Sequence, residues 1–199
     1  MRRGRLEAFS DGVLAVAITI MVLEMKVPLG ADWTTLSKLW PVFLSYVLSF
    51  VYIGIYWNNH HHLISTVDHV DGSIMWNNLH LLFWLTLVPF VTGWMGENNF
   101  GPIPTMLYGV VLIMAAIAYW ILQRHILATQ ASRSALRREI GRDLKGKVSP
   151  FLYLAGIAVA QFEPMISVGI YGLVAVLWVI PDKRIERALR QSDHQEAPE

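Results

Sequence analysis

Arg5-Leu6-Glu7-Ala8-Phe9-Ser10-Asp11-Gly12 runs without a break into Val13-Leu14-Ala15-Val16-Ala17-Ile18-Thr19-Ile20-Met21-Val22-Leu23. A cation, an anion and a hydroxyl thus stand at the mouth of an otherwise apolar segment about as long as a bilayer is thick. An ionised group in hydrocarbon loses several kcal/mol of solvation unless it is paired or reaches water. Either the helix leaves the membrane at this point, or the charges brace a neighbouring element.

Composition settles the class before the rest of the chain is read. Of 199 residues, 54% are hydrophobic and 16% charged, with eight Trp and a mean hydropathy of +0.43. That balance belongs to an all-α polytopic membrane protein and not to a soluble domain of this length. A net charge of +1 gives no basic excess that would point to nucleic acid. With no Cys, disulfides, thiolate catalysis and Cys-based metal sites are excluded. Met1-Arg2-Arg3 leads into the first apolar run without a small-residue cleavage signal, so that run is expected to stay in the mature protein.

About 20 residues at 1.5 Å each are needed to cross roughly 30 Å of hydrocarbon. Six runs qualify as spans: 5–26, 39–60, 71–95, 104–127, 148–161 and 164–180. The last two are short, and a hairpin that does not fully cross is the other reading of them. Six spans place every Lys and Arg except Lys26 and Lys38 on one side. Short cytoplasmic loops collect such residues, so both termini are expected in the cytoplasm. The Arg-rich connection 130–147 reads as an ordinary inside loop or as a helix on the inner leaflet. Residues 1–190 are expected to form one six-helix membrane unit, and 191–199 a polar tail.

Along the first span, steps of about 100° put Arg5, Phe9, Gly12, Val16, Thr19, Ile20 and Leu23 on one side. Ser10 and Asp11 point elsewhere. The apolar face by itself reads as meeting lipid or the core. In the second span Ser45, Ser49, Tyr52 and Tyr56 recur at helical spacing ahead of Trp57-Asn58-Asn59-His60-His61-His62. The third opens with Trp76-Asn77-Asn78-Leu79-His80, which puts Asn77 and His80 on one face. These polar ends lie at the same boundary as Ser10 and Asp11, and a hydrogen-bonded network joining the three spans is expected. The His cluster also invites a metal reading. Adjacent His on a helix diverge by about 100°, and the His-Glu-x-x-His signature is missing. No nucleophile elbow, phosphate loop or catalytic carboxylate pair is present, and no enzyme is expected.

Arg5-x-x-x-Phe9-Ser10-Asp11, followed by Ile18-Thr19, Leu23-Glu24 and Lys26-Val27-Pro28, resembles the signature of the transmembrane protein 175 family of potassium channels. The resemblance continues through His61-His62, Trp76-Asn77-Asn78-Leu79 and Pro89-Phe90. It implies one six-helix unit per chain, assembled as a homotetramer in the plasma membrane around a central pore lined by the first helix. It further implies an apolar constriction at Val16, Ile20 and Leu23, a hydroxyl layer at Thr19, and no carbonyl selectivity filter. Arg5, Phe9, Ser10, Asp11, Trp57, His61, His62, Trp76, Asn77 and His80 would form the network that holds that helix. Potassium and other monovalent cations would be the permeant ions, the bilayer the surroundings, and no cofactor or metal would be needed. The alternative is a proton- or metal-coupled transporter with His60, His61, His62, His80 and Asp11 as a relay.

Overall fold

A computed structural model describes residues 2–67, 69–129 and 144–179. The Arg-rich residues 130–143, Asp68 and everything from 180 onward, including the polar tail, lie outside the described residues. The described residues form helices α1 (Arg3–Leu23), α2 (Trp33–Ser37), α3 (Trp40–Ser65), α4 (Gly72–Thr86), α5 (Val88–Glu97), α6 (Pro102–Thr129), α7 (Leu144–Ala160) and α8 (Pro164–Val179). Among the described residues four stretches are long and apolar enough to cross a membrane: Arg3–Leu23, Trp40–Ser65, Gly72–Glu97 and Pro102–Thr129. This is the architecture of a multi-pass membrane protein. The expected fifth and sixth spans correspond to α7 and α8, whose 17 and 16 residues rise only about 25 Å.

Helix boundaries differ from the expected ones where side-chain chemistry intervenes. α1 stops at Leu23, short of Lys26, because the amide of Met25 tightens onto the Val22 carbonyl and Lys26 turns aside to pair with Glu97 at 2.7 Å. α3 runs past His60 to Ser65, since Leu63 and Ile64 beyond the His triplet are buried. The expected third helix is two. Pro89 sits at the start of α5, lacks an N–H for the carbonyl one turn back, and its ring crowds that turn. The break is confined to Leu87, whose backbone stays in the right-handed region (φ −83°, ψ −15°). α2 is a single turn capped by Asp32, which accepts from the Thr35 amide at 2.6 Å. That bond holds the Asp32 carboxyl below the usual carboxylate range.

α5 ends in a left-handed pair, Asn99 (φ 49°) and Phe100 (φ 56°). The Phe100 amide reaches the Met95 carbonyl and the Asn99 amide that of Gly96, the paired bonds of a Schellman cap. A left-handed Phe is strained, and its burial against Trp40, ring centres 5.5 Å apart, offsets that cost.

The core lies between α3, α4, α5, α6, α7 and α8, with α1 laid against α3, α4 and α5. Lipid offers no hydrophobic drive between helices, so small residues and polar contacts do the joining. Ser49 exchanges hydrogen bonds with Thr92 at 2.6 Å and Tyr108 at 3.0 Å, linking α3, α5 and α6. The Tyr52 hydroxyl donates to the Tyr171 carbonyl at 2.7 Å. Gly96 lets α5 touch α3: a Cβ there would stand 2.8 Å from Cα of Val42 and 2.5 Å from Oγ of Ser45.

Candidate functional site

α1 has two unlike faces. Leu6, Ser10, Leu14, Ala17 and Met21 are buried against the bundle. Arg5, Phe9, Gly12, Val16, Thr19, Ile20 and Leu23 are all exposed, Leu23 at 80%. The exposed strip is the side that the 100° steps bring together, and it is apolar except for Thr19 and the terminal Arg5. Thr19 donates its hydroxyl proton to the Val16 carbonyl at 2.8 Å. Its oxygen lone pairs therefore remain free on the exposed face, the polarity that suits a cation.

The buried face is locked at its polar end. Ser10, fully buried, donates to the Leu6 carbonyl at 2.9 Å and accepts from Nδ2 of Asn78 at 3.0 Å. With its amide nitrogen so engaged, Asn78 presents Oδ1 to Nε2 of His60 at 2.7 Å. His60 must carry its proton on Nε2 to donate there, which leaves Nδ1 buried without a partner. One chain of bonds thus runs from α1 through α4 to α3. Around it, Trp57 donates its indole N–H to Oδ1 of Asp11 at 3.0 Å. His61 donates through Nδ1 to Oε1 of Glu7 at 2.6 Å, and Arg3 donates to the Ser65 carbonyl at 2.8 Å.

Of the residues expected in this network, Ser10, Asp11, Trp57 and His61 make bonds that join α1 to its neighbours. Arg5, Phe9, His62 and Trp76 are exposed, and Asn77 is half-buried beside the asparagine that makes the contact. His80 accepts from the indole of Trp84 on its own helix at 3.1 Å. Sequence reasoning missed Asn78, Glu7 and Arg3, and gave His60 only to the relay. A signal for His60 was available: Ser45, Ser49, Tyr52 and Tyr56, all buried, recur at steps of four, three and four, and one more step of four lands on His60.

The histidines do not gather into one relay. His60 turns to Asn78, His61 to Glu7 and His80 to Trp84. Among the described residues no group of three or more His, Asp or Glu side chains is placed to hold a metal ion.

At the other end of α1, Glu24 rests against Gly93 of α5, where a Cβ would stand 2.8 Å from Oε2. Partial burial and the neighbouring Glu97 raise its carboxyl above the usual range.

The chain is similar to known proteins in sequence and in fold. Residues 5–89 match the family described as endosomal/lysosomal potassium channel TMEM175. The sequence is 54% identical over 192 residues to a potassium channel of Chryseobacterium sp. (strain P1-3), covering 96% of this chain and 100% of the relative. It is 35% identical over 190 residues to a potassium channel of Chamaesiphon minutus, covering 89% of this chain and 93% of that one. The fold matches the crystal structure of a lysosomal potassium-selective channel TMEM175 homolog from Chamaesiphon minutus with a TM-score of 0.76. That match has 30% identity and covers 89% of this chain and 96% of the other. The chain belongs to the TMEM175 family.

Proposed function

We propose that this protein is a potassium-permeable cation channel that conducts passively through a homotetrameric pore lined by α1. The observation that carries the reading is the unpartnered face of α1, apolar apart from Thr19 and Arg5, on a helix whose opposite face is bonded into the bundle. Four such faces around an axis form an apolar constriction at Val16, Ile20 and Leu23, which closes by excluding water and opens on a small splay or rotation. Thr19 supplies a ring of oxygen lone pairs that partly replaces lost hydration, with no carbonyl filter. Discrimination of potassium from sodium is then modest. The names of the relatives, potassium channels matched over 100% and 93% of their length, support potassium as the ion. In this reading six spans put both termini in the cytoplasm of a plasma-membrane protein, with no cofactor and no enzymatic step. Residues 1–190 form the channel unit.

Purified protein in potassium-loaded liposomes tests this. The expected result is a rapid potassium efflux that follows the imposed voltage and needs no proton or metal gradient. Saturable flux that stops when a proton gradient is collapsed would instead favour coupled transport.

A further inference from the structure

The segment between α1 and α3 carries apolar side chains that none of the described residues covers. Val27 is 86% exposed and Trp33 85%, Leu29 is wholly exposed, and Leu36 is half exposed. In water such a patch is costly, and it marks a surface that meets something else. The segment is nonetheless ordered, because Asp32 caps α2 through both carboxylate oxygens, accepting from the Thr35 amide and hydroxyl. Its conformation is set by its own cap and not by packing on the bundle.

Three features identify the occupant. The first is continuity. Trp33, Leu36, Trp40, Phe43, Val47 and Phe50 are all exposed and recur at steps of three and four. Lys38 (φ −68°, ψ −17°) and Leu39 (φ −84°, ψ 2°) stay near helical geometry, and the amides of Leu39 and Phe43 reach the carbonyls of Leu36 and Leu39. The outward stripe of the α3 span therefore runs on into α2. The second is size. Helix-to-helix contacts in membranes select small side chains that let backbones approach, and this stripe has none, whereas the exposed face of α1 carries Ala8, Gly12 and Ala15. The third is chemistry. Trp33 and Trp40 are rings that favour the headgroup level, and Thr34, Thr35 and Lys38 lie on the opposite arc of the turn.

We propose that residues 27–40 are an interfacial anchor lying in the phospholipid headgroup layer, with Val27, Leu29, Trp33 and Leu36 turned into the acyl boundary. Within the segment Asp32 balances Lys38, and Lys26 just before it is engaged by Glu97, so the contact is apolar and aromatic and requires no anionic lipid. The anchor joins Leu23 through Glu24-Met25-Lys26 alone, and thus tethers the end of α1 to the lipid surface. The inference rests on α1 and α3 crossing the membrane and not on ion conduction.

The chain has no Cys, so a single nitroxide label can be placed by Leu36→Cys or by Thr34→Cys in the full chain, reconstituted in phosphatidylcholine liposomes. The ratio of oxygen to water-soluble nickel collisions should be several-fold higher at position 36 than at 34, and unchanged by high salt. Adding Trp33→Asp should lower the ratio at 36 several-fold. Equal nickel access at both positions would place the segment in water and overturn the proposal. A label at 36 shielded from both reagents and broadened by a second spin would overturn it in favour of contact between copies.

Discussion

Between Arg3 and Asp11, α1 is fastened by directed bonds to Ser65, His61, Asn78 and Trp57. From Val16 to Leu23 it rests on its neighbours chiefly through the apolar contacts of Ala17 and Met21. A hydrogen bond fixes angle and register, and breaking a buried one leaves groups that cannot find water. Apolar contact is non-directional, and a helix can rotate or slide on it at small cost as long as area stays covered. The same helix is therefore held by directed bonds at one end and chiefly by apolar packing at the other. The apolar-packed end is the one that carries the proposed constriction.

The difference can be broken most forcefully at Asn78. Asn78→Leu keeps the volume but removes two bonds and leaves the Nε2–H of His60 buried alone. A loss of about 2 kcal/mol is expected at roughly 1 kcal/mol per bond, read as a lower melting midpoint in detergent. An unchanged midpoint would mean that the clamp does not hold the helix. Leu23→Ala probes the other end. It should raise liposomal potassium current several-fold while leaving the midpoint where it was, because Leu23 contacts little within the chain. A smaller effect is expected for Asp11→Ala, which loses the Trp57 bond at a half-exposed position: at most about 1 kcal/mol, with the current per channel unaltered. Equal damage to assembly by Leu23→Ala and Asp11→Ala would erase the distinction between the two ends.

The smallest effect concerns pH. Glu24 binds its proton more tightly in the fold than in the unfolded chain. Its contribution to stability is therefore fullest at acid pH and is lost as pH rises through the raised carboxyl value. Glu24→Gln should flatten that dependence when the melting midpoint is followed from acid to neutral pH.

Much of the architecture was legible because its causes are one-dimensional. Run length, hydropathy and proline position delimit the four long apolar stretches, and the 100° step on α1 gathers the strip from Arg5 to Leu23 that stands exposed. Side-chain partners were legible only in part. In a soluble helix the polar face sets the rotational phase, but α3 and α4 are apolar almost all round. The phase that separates Asn78 from Asn77, or His60 from His61, then depends on which residue lies in line with the buried stripe. For Asn78 the stripe is Ile74, Leu81 and Leu85, a set of partners that becomes distinct only once α1 and α6 are packed against it. α2 was not read for another reason: it is a five-residue turn held by one aspartate cap, far shorter than the runs that mark spans.

The one-residue joint at Leu87 acquires a mechanical meaning from this asymmetry. The α4 segment before it holds the clamped end of α1 through Asn78, and the α5 segment after it meets the other end through Thr92, Gly93 and Glu97. A continuous rod would force both attachments to tilt together. With the break at Pro89 between them, the tilt of α5 is not tied rigidly to that of α4.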